Sequence, residues 1–134
     1  CPGVALNGQD QVALVKVQLG NAPALPIRPA LPPVGSDVYA IGAPLEEDLQ
    51  GTVSRGVVSA HRPATDRSPA LIPGDVDIHG GNSGGPLTDA NGNVVGISAS
   101  GISPLGQQVS AGLNFFIPIA EALEALNLQV AAGS

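Results

Sequence analysis

The sequence has few of the residues that usually build a dense core or link a chain covalently. Aromatic residues make up 2% of the 134 positions, and tryptophan and methionine are absent. The only cysteine, Cys1, cannot form a disulfide within the chain, and two distant histidines add no structural zinc site. We therefore expect no structural metal site. The core must come from Val, Ile, Leu and Ala, within a hydrophobic content of 43%.

Basic residues are also scarce. Five Lys and Arg stand against eleven Asp and Glu, which gives a net charge of −6 and no basic cluster. This charge balance argues against nucleic acid and anionic membranes as partners. No apolar run is long enough to cross a bilayer, so we expect no membrane insertion.

Glycine and proline, in contrast, are abundant. Eighteen glycines and thirteen prolines predict many turns, which favours an all-β fold over a helical bundle. The length predicts a single domain over 1–134. Since the chain begins at Cys1 rather than Met, we expect a processed protein or a piece of a longer one.

Hydrophobic patterning predicts six or seven strands and one terminal helix. The clearest strands are predicted over 11–19, 38–42, 50–60 (with Gly56 as a break or bulge), 94–99 and 113–117. Five prolines make 21–33 an extended connection, and 61–73 is predicted to be an exposed loop.

Two local signals complete this outline. Asn91-Gly92 between apolar segments predicts a β-hairpin. Pro118 is expected to open the helix, whose apolar stripe is Ile119, Leu123 and Leu126.

The most informative stretch is GGNSGGPL, residues 80–87, in which Ser83 stands between glycines. Glycines permit positive φ and close backbone approach, so this loop can point several N–H groups inward and leave the serine hydroxyl uncovered. Acyl transfer needs those two features, an exposed nucleophile and donors for the developing oxyanion. A tight glycine-rich turn between two strands is the simpler alternative.

The string GNSGGPL resembles the nucleophile loop of trypsin-like serine proteases, in the form found in the HtrA/Deg branch. Further segments resemble the same branch: LPPVGSDVYAIGAPL, GTVSRGVVSAHR, NGNVVGISAS and GLNFFIPI. The resemblance implies the second, C-terminal barrel of such a protease, an antiparallel Greek-key β-barrel with a C-terminal helix. It also implies that the first, histidine-bearing barrel is not in this chain and that the substrate is a polypeptide. It further implies no metal or organic cofactor, and a periplasmic or secreted location.

The same resemblance implies roles for individual residues. Ser83 matches the nucleophile, and the backbone N–H groups of Gly81 and Ser83 match the oxyanion hole. The segment Ala99-Ser100-Gly101 matches the strand that binds the substrate backbone, and Gly112 matches a residue of the pocket wall.

The catalytic base and its aspartate depart from the family pattern. The family order along the chain is His, Asp, Ser, but His61 and His79 both follow the candidate Asp10, so we expect neither to be the base. Asp10 precedes the strand Val12-Ala13-Leu14 by one residue too many, so it is either the triad aspartate, brought round by a bulge, or a solvated carboxylate.

Asp77 lies six residues before Ser83, where the trypsin branch places the floor of the primary specificity pocket. An aspartate there would bind Arg or Lys of the substrate, and the alternative is a solvated carboxylate.

Two other classes of function stay open at this point. The missing base favours a catalytically inactive pseudoprotease or peptide-binding module, and a purely structural β domain is also compatible with the loop. Because apolar residues that would face the first barrel need cover, we expect copies of the chain to associate as a homo-oligomer.

Overall fold

The computed structural model describes residues 4–7, 12–18, 20–42, 52–63, 70–76, 83–98 and 114–130. These ranges contain eight strands and one helix: β1 (Val4–Asn7), β2 (Val12–Val15), β3 (Asp37–Gly42), β4 (Thr52–Val57), β5 (Ile72–Gly74), β6 (Pro86–Thr88), β7 (Val94–Ser98), β8 (Asn114–Pro118) and α1 (Ile119–Ala125). Strands β1 and β2 form a separate antiparallel pair.

The other six strands form one antiparallel sheet in the order β4-β3-β6-β7-β8-β5. Its two ends meet, because the chain that follows β4 pairs with β5. Val58 lies opposite Gly74, and the Ser59 N–H donates to the Pro73 carbonyl at 2.9 Å. Since β5 returns to lie beside β8, the order is that of a Greek key. The predicted antiparallel Greek-key barrel with a C-terminal helix is confirmed.

Aliphatic side chains fill the barrel, with one phenylalanine among them. The interior cluster consists of Val38, Ala40, Val58, Ile72, Val76, Leu87, Val95 and Phe116. A second cluster lies outside the barrel wall, under the helix, and consists of Val12, Val94, Ile117, Ile119 and Ala122. The prediction that Val, Ile, Leu and Ala would form the core is thus confirmed.

A β-bulge in β7 lets two neighbouring valines serve different clusters. Thr88 pairs with Val94 and Leu87 pairs with Gly96, so Val95 is the extra residue on its strand. Val94 packs in the outer cluster and Val95 in the interior cluster.

The helix α1 begins directly after Pro118, as predicted, with that proline in the cap position. Ile119 is buried, and Leu123 and Leu126 pack against the outer cluster, so the predicted stripe is confirmed. Among the described residues, no helix has the length and hydropathy needed to cross a membrane.

Three sequence predictions are wrong in detail. Gly56 does not interrupt a strand, because β4 runs through it and Gly56 pairs with Val38. A Cβ at Gly56 would lie 2.5 Å from Asp75 Oδ1 and 2.7 Å from Val76 Cγ2, so close packing against the residues after β5 explains the glycine.

The predicted loop over 61–73 is the second error. Leu71 pairs with Arg62, and β5 begins at Ile72 and includes Pro73. Pro73 takes part in the sheet through its carbonyl, which accepts the Ser59 N–H at 2.9 Å, although proline supplies no donor in return. The first predicted strand, 11–19, is also shorter in the structure, because residues 16–18 are not in β2.

The Asn-Gly hairpin is confirmed as the turn between β6 and β7, and Asp89 organises it. Gly92 has a φ of +83°, and the Asp89 N–H donates to the Asn93 carbonyl at 2.9 Å. The Asp89 carboxylate accepts the N–H groups of Asn91 and Asn93, both at 2.9 Å, and the Asn93 side-chain amide at 3.2 Å. Arg28 completes this set at 3.3 Å.

Besides the Arg28–Asp89 contact, two backbone hydrogen bonds attach the proline-rich connection to the barrel. The Val94 N–H donates to the Pro26 carbonyl at 2.8 Å, and the Arg28 N–H donates to the Val94 carbonyl at 3.0 Å.

Asp89 is only 7% exposed, and burial alone would raise its pKa. The hydrogen bonds from Asn93, Asn91 and Arg28 together outweigh burial and lower the pKa of Asp89 below its ordinary value.

We therefore expect Asp89→Asn to lower the free energy of unfolding by about 1–3 kcal/mol at pH 7. Because the folded pKa is below the unfolded value of about 3.9, the carboxylate stabilises the fold fully above that value. The contribution disappears as the pH falls through the folded pKa, so the difference between the two proteins should shrink in acid.

Urea unfolding at a series of pH values measures this difference. Asp37→Asn is the control, because Asp37 pairs with Arg55 at 3.0 Å on the exposed surface and its loss should change stability little. A difference for Asp89→Asn that stays constant down to pH 2 would contradict the assignment.

Candidate active site

Ser83 lies in the turn that leads into β6, and it is exposed to solvent. The next residue, Gly84, has a φ of +90°, which side-chain-bearing residues rarely adopt. The Gly84 N–H donates to the Ser98 carbonyl at 2.7 Å, and the Ser98 N–H donates to the Gly85 carbonyl at 2.9 Å. These two bonds continue the β6–β7 ladder and hold the backbone directly after Ser83.

Four strand ends meet at the end of the barrel where Ser83 lies. Pro86 at the start of β6 pairs with Ile97 near the end of β7, and Ser98 pairs with Phe116 near the start of β8. Asn114 at the start of β8 pairs with Gly74, the last residue of β5. The chain therefore enters and leaves the serine loop at the barrel end where it also leaves β7 and enters β8.

The predicted site segments adjoin these strand ends in the sequence. The predicted substrate strand follows β7 directly, the predicted pocket wall precedes β8, and the predicted pocket floor is separated from β5 by two residues. The residues themselves lie outside the described ranges: Asp10, Asp77, Gly81, Ala99, Ser100, Gly101 and Gly112. Their roles remain predictions.

His61 is the one histidine in the described ranges, since His79 lies outside them. Its Nε2 lies 2.6 Å from the Pro32 carbonyl oxygen, which can only accept a hydrogen bond, so Nε2 carries a proton. That nitrogen is therefore committed to the proline-rich segment rather than available to accept a proton. This contact supports the expectation that His61 is not the catalytic base.

Ser98 is a buried polar residue that the sequence did not mark. It is 1% exposed, and its Oγ has no hydrogen-bond partner among the residues that the structure describes. A small polar residue at the end of an apolar strand carries no distinctive pattern, so no sequence signal pointed to it. Across the described ranges, no group of three or more His, Cys, Asp or Glu side chains is placed to hold a metal ion.

Comparison with known proteins agrees with this geometry. Residues 3–97 match the family described as the trypsin-like peptidase domain. The chain is 37% identical over 123 residues to the serine endoprotease DegS of Haemophilus influenzae, with 86% of this chain and 36% of DegS covered. It is 38% identical over 127 residues to a probable periplasmic serine endoprotease, DegP-like, of Pseudomonas putida, covering 92% of this chain and 26% of that protein.

A solved structure gives the same result in three dimensions. The HtrA-type protease AlgW with a decapeptide superposes with a TM-score of 0.74 at 34% identity, covering 92% of this chain and 39% of AlgW. The chain therefore spans between about a quarter and two fifths of the length of these relatives. The predicted resemblance is confirmed by both comparisons, and the chain belongs to the family of trypsin-like peptidase domains.

Proposed function

We propose that the full-length protein is a serine endopeptidase of the HtrA/Deg type that cleaves peptide bonds with Ser83 as its nucleophile. The observation that carries this proposal is the position of Ser83. It is exposed, it stands beside a glycine of positive φ, and it lies at the barrel end where β5, β7 and β8 lead into the other predicted site residues.

In this mechanism Ser83 Oγ attacks the carbonyl carbon of the scissile peptide bond while its proton passes to a general base. The N–H groups of Gly81 and Ser83 hold the tetrahedral oxyanion. When the intermediate collapses, the amine leaves with the proton from the base. Water then attacks the acyl-enzyme by the same route and restores the serine. No metal or cofactor takes part in these steps.

The substrate in this proposal is an extended polypeptide. Ala99, Ser100 and Gly101 would continue β7 beyond Ser98 and hydrogen-bond the substrate backbone as an added strand, with Gly112 on the pocket wall. The decapeptide in the AlgW structure supports a peptide ligand, and the DegP-like relative's name supports a periplasmic or secreted location.

The general base would come from a first barrel encoded outside this chain, because the described histidine is engaged by the Pro32 carbonyl. Asp10 is proposed as the residue that orients that base. The departure of the histidines and of Asp10 from the family's His, Asp, Ser order favours a second candidate function, in which the protein binds peptides without cleaving them. The two functions differ in whether Ser83 reacts.

The first prediction concerns the nucleophile. In the full-length protein, Ser83→Ala should abolish peptide hydrolysis and covalent labelling by a fluorophosphonate, because the hydroxyl is the reacting group. Stability should hardly change, since Ser83 is exposed. Ser36→Ala, which removes another exposed hydroxyl, is the control and should label normally.

Labelling of Ser83→Ala at the wild-type rate would exclude Ser83 as the nucleophile. A wild-type protein that binds peptides but is never labelled would favour the binding module.

The second prediction concerns specificity. If Asp77 forms the pocket floor, a library of short peptides should show cleavage after Arg or Lys, because a partly desolvated carboxylate pairs strongly with a cation. Asp77→Ala should then lower kcat/KM for these peptides by at least about 10-fold, while peptides with Val, Leu or Ala at this position change little. A preference for aliphatic residues that ignores the substitution would show Asp77 to be a solvated carboxylate.

The third prediction concerns the partner surface. Residues 12–34 expose several large apolar side chains, among them Leu14, Val15, Val17, Leu25 and Leu31, and β1 and β2 form a sheet of only two strands. We propose that the first barrel covers this surface in the full-length protein, and that copies of the chain associate through it when that barrel is missing.

Val17 and Val53 provide a matched pair for the test, because they are 57% and 56% exposed. In the full-length protein, Val17→Asp should lower the free energy of unfolding by at least about 2 kcal/mol by burying a carboxylate, and Val53→Asp should change it by less than about 0.5 kcal/mol. Equal small effects would show that nothing covers this surface. Sedimentation of the chain alone as a clean monomer at micromolar concentration would exclude its self-association.

A further inference from the structure

We infer that Asp75 and Asn114 are positioning residues, which hold the chain that enters the serine loop in register with the rest of the barrel. The inference rests on the proposed function, since it concerns how the backbone donors around Ser83 keep their geometry. Neither residue was singled out for a role by its sequence pattern.

The backbone ladder of β5 ends just before this point. Gly74 is the last residue of β5, and it pairs with Asn114 on one side and with Val58 on the other. After Gly74, one long backbone hydrogen bond remains, and two side chains make the shorter bonds. Each connects the chain to a different neighbouring strand.

The first tether is the carboxylate of Asp75. Its Oδ1 accepts the backbone N–H of Val57, at the end of β4, at 2.7 Å. The backbone N–H of Asp75 points at the Val57 carbonyl at a longer 3.4 Å. The short bond is therefore the one made by the side chain.

The second tether is the side-chain amide of Asn114. Its Nδ2 donates to the Val76 carbonyl at 2.7 Å, in a partly buried position at the start of β8. Val76 itself is fully buried in the interior cluster. Packing holds the Val76 side chain and a hydrogen bond holds its carbonyl. Residues 77–82 therefore begin from an anchored position.

The other end of the loop is fixed as well. Gly84 and Gly85 are hydrogen-bonded to Ser98, so residues 77–82 connect two anchored positions. Oxyanion stabilisation depends on donors held in place before the reaction, and displacements near 1 Å can cost about 100-fold in rate. Loss of either tether should therefore reduce catalysis more than it reduces folding.

Gly56 provides independent evidence that this contact constrains the barrel. A Cβ there would lie 2.5 Å from Asp75 Oδ1 and 2.8 Å from the Val76 backbone nitrogen. The strand β4 thus contains the most flexible residue type near its end, where Asp75 and Val76 pack against it.

The test uses the full-length protein and four variants. Asp75→Ala removes the first tether, and Asp75→Asn keeps an oxygen that can accept the Val57 N–H. Asn114→Asp keeps the side-chain shape but replaces the donor with an acceptor that faces the Val76 carbonyl. Ala122→Gly is the control, because it weakens the helix in the outer cluster, which contains no residue of β5.

We expect Asp75→Ala and Asn114→Asp to lower kcat, and the rate of fluorophosphonate labelling at Ser83, by about 10- to 100-fold, with KM changed less than about twofold. Asp75→Asn should stay within about threefold of the wild type, because its role is geometric. Ala122→Gly should lower Tm with no change in the labelling rate per folded molecule. All rates are measured well below the lowest Tm.

Wild-type labelling rates in Asp75→Ala and Asn114→Asp, whatever their Tm, would overturn the inference. So would a loss in Asp75→Asn as large as that in Asp75→Ala, since a charge effect would then be responsible. A Ser83→Ala protein that is still labelled would instead overturn the proposed function. The two failures are therefore distinguishable in one set of measurements.

Discussion

The barrel depends on β5, which has only three residues and yet closes the sheet. On one side it pairs with β8, and on the other it pairs with the chain after β4. Without it the order β4-β3-β6-β7-β8 would be an open sheet with two exposed edges. Ile72 and Val76, at either end of this segment, are also buried in the interior cluster, so closure and core packing coincide.

Closure at β5 also organises the candidate site. After β5 the chain continues to Ser83 and then into β6 and β7, so the serine stands between two parts of one closed wall. The hydrogen bonds of Gly84 and Gly85 to Ser98 hold the backbone that follows it. The proposed role of Ser83 rests on its exposed position at this end of the barrel, beside a glycine of positive φ, rather than on an unusual side chain.

Local patterns predicted the fold where local physics decides it. The hairpin at Gly92, the helix after Pro118 and the strand β3 each follow from turn chemistry, capping or alternation. The strand β5 could not be predicted this way, because Pro73 reads as a loop signal and the strand exists only through pairing with distant segments. Gly56 was misread for the same reason, since its requirement comes from Asp75 and Val76, about twenty positions away. The turn at Ser83 and Gly84 was predictable from its glycine pattern, and its catalytic role stays a prediction, whereas Ser98 and Asn114 carry no local signal.

The ion pair between Arg28 and Asp89 joins residues 61 positions apart, so it restricts the order in which contacts can form while the chain is being synthesised. A ribosome adds about 5–20 residues per second, so Arg28 waits on the order of 3–12 s before its partner exists. The proline-rich connection must stay unattached for that interval, and proline keeps it extended without requiring a partner strand. Barrel closure comes later still, because β5 has no β8 to pair with until Asn114 has been made. The two hydrogen bonds that join Gly84 and Gly85 to Ser98 span only about fifteen residues, so they can form before the wall around the Ser83 turn is complete.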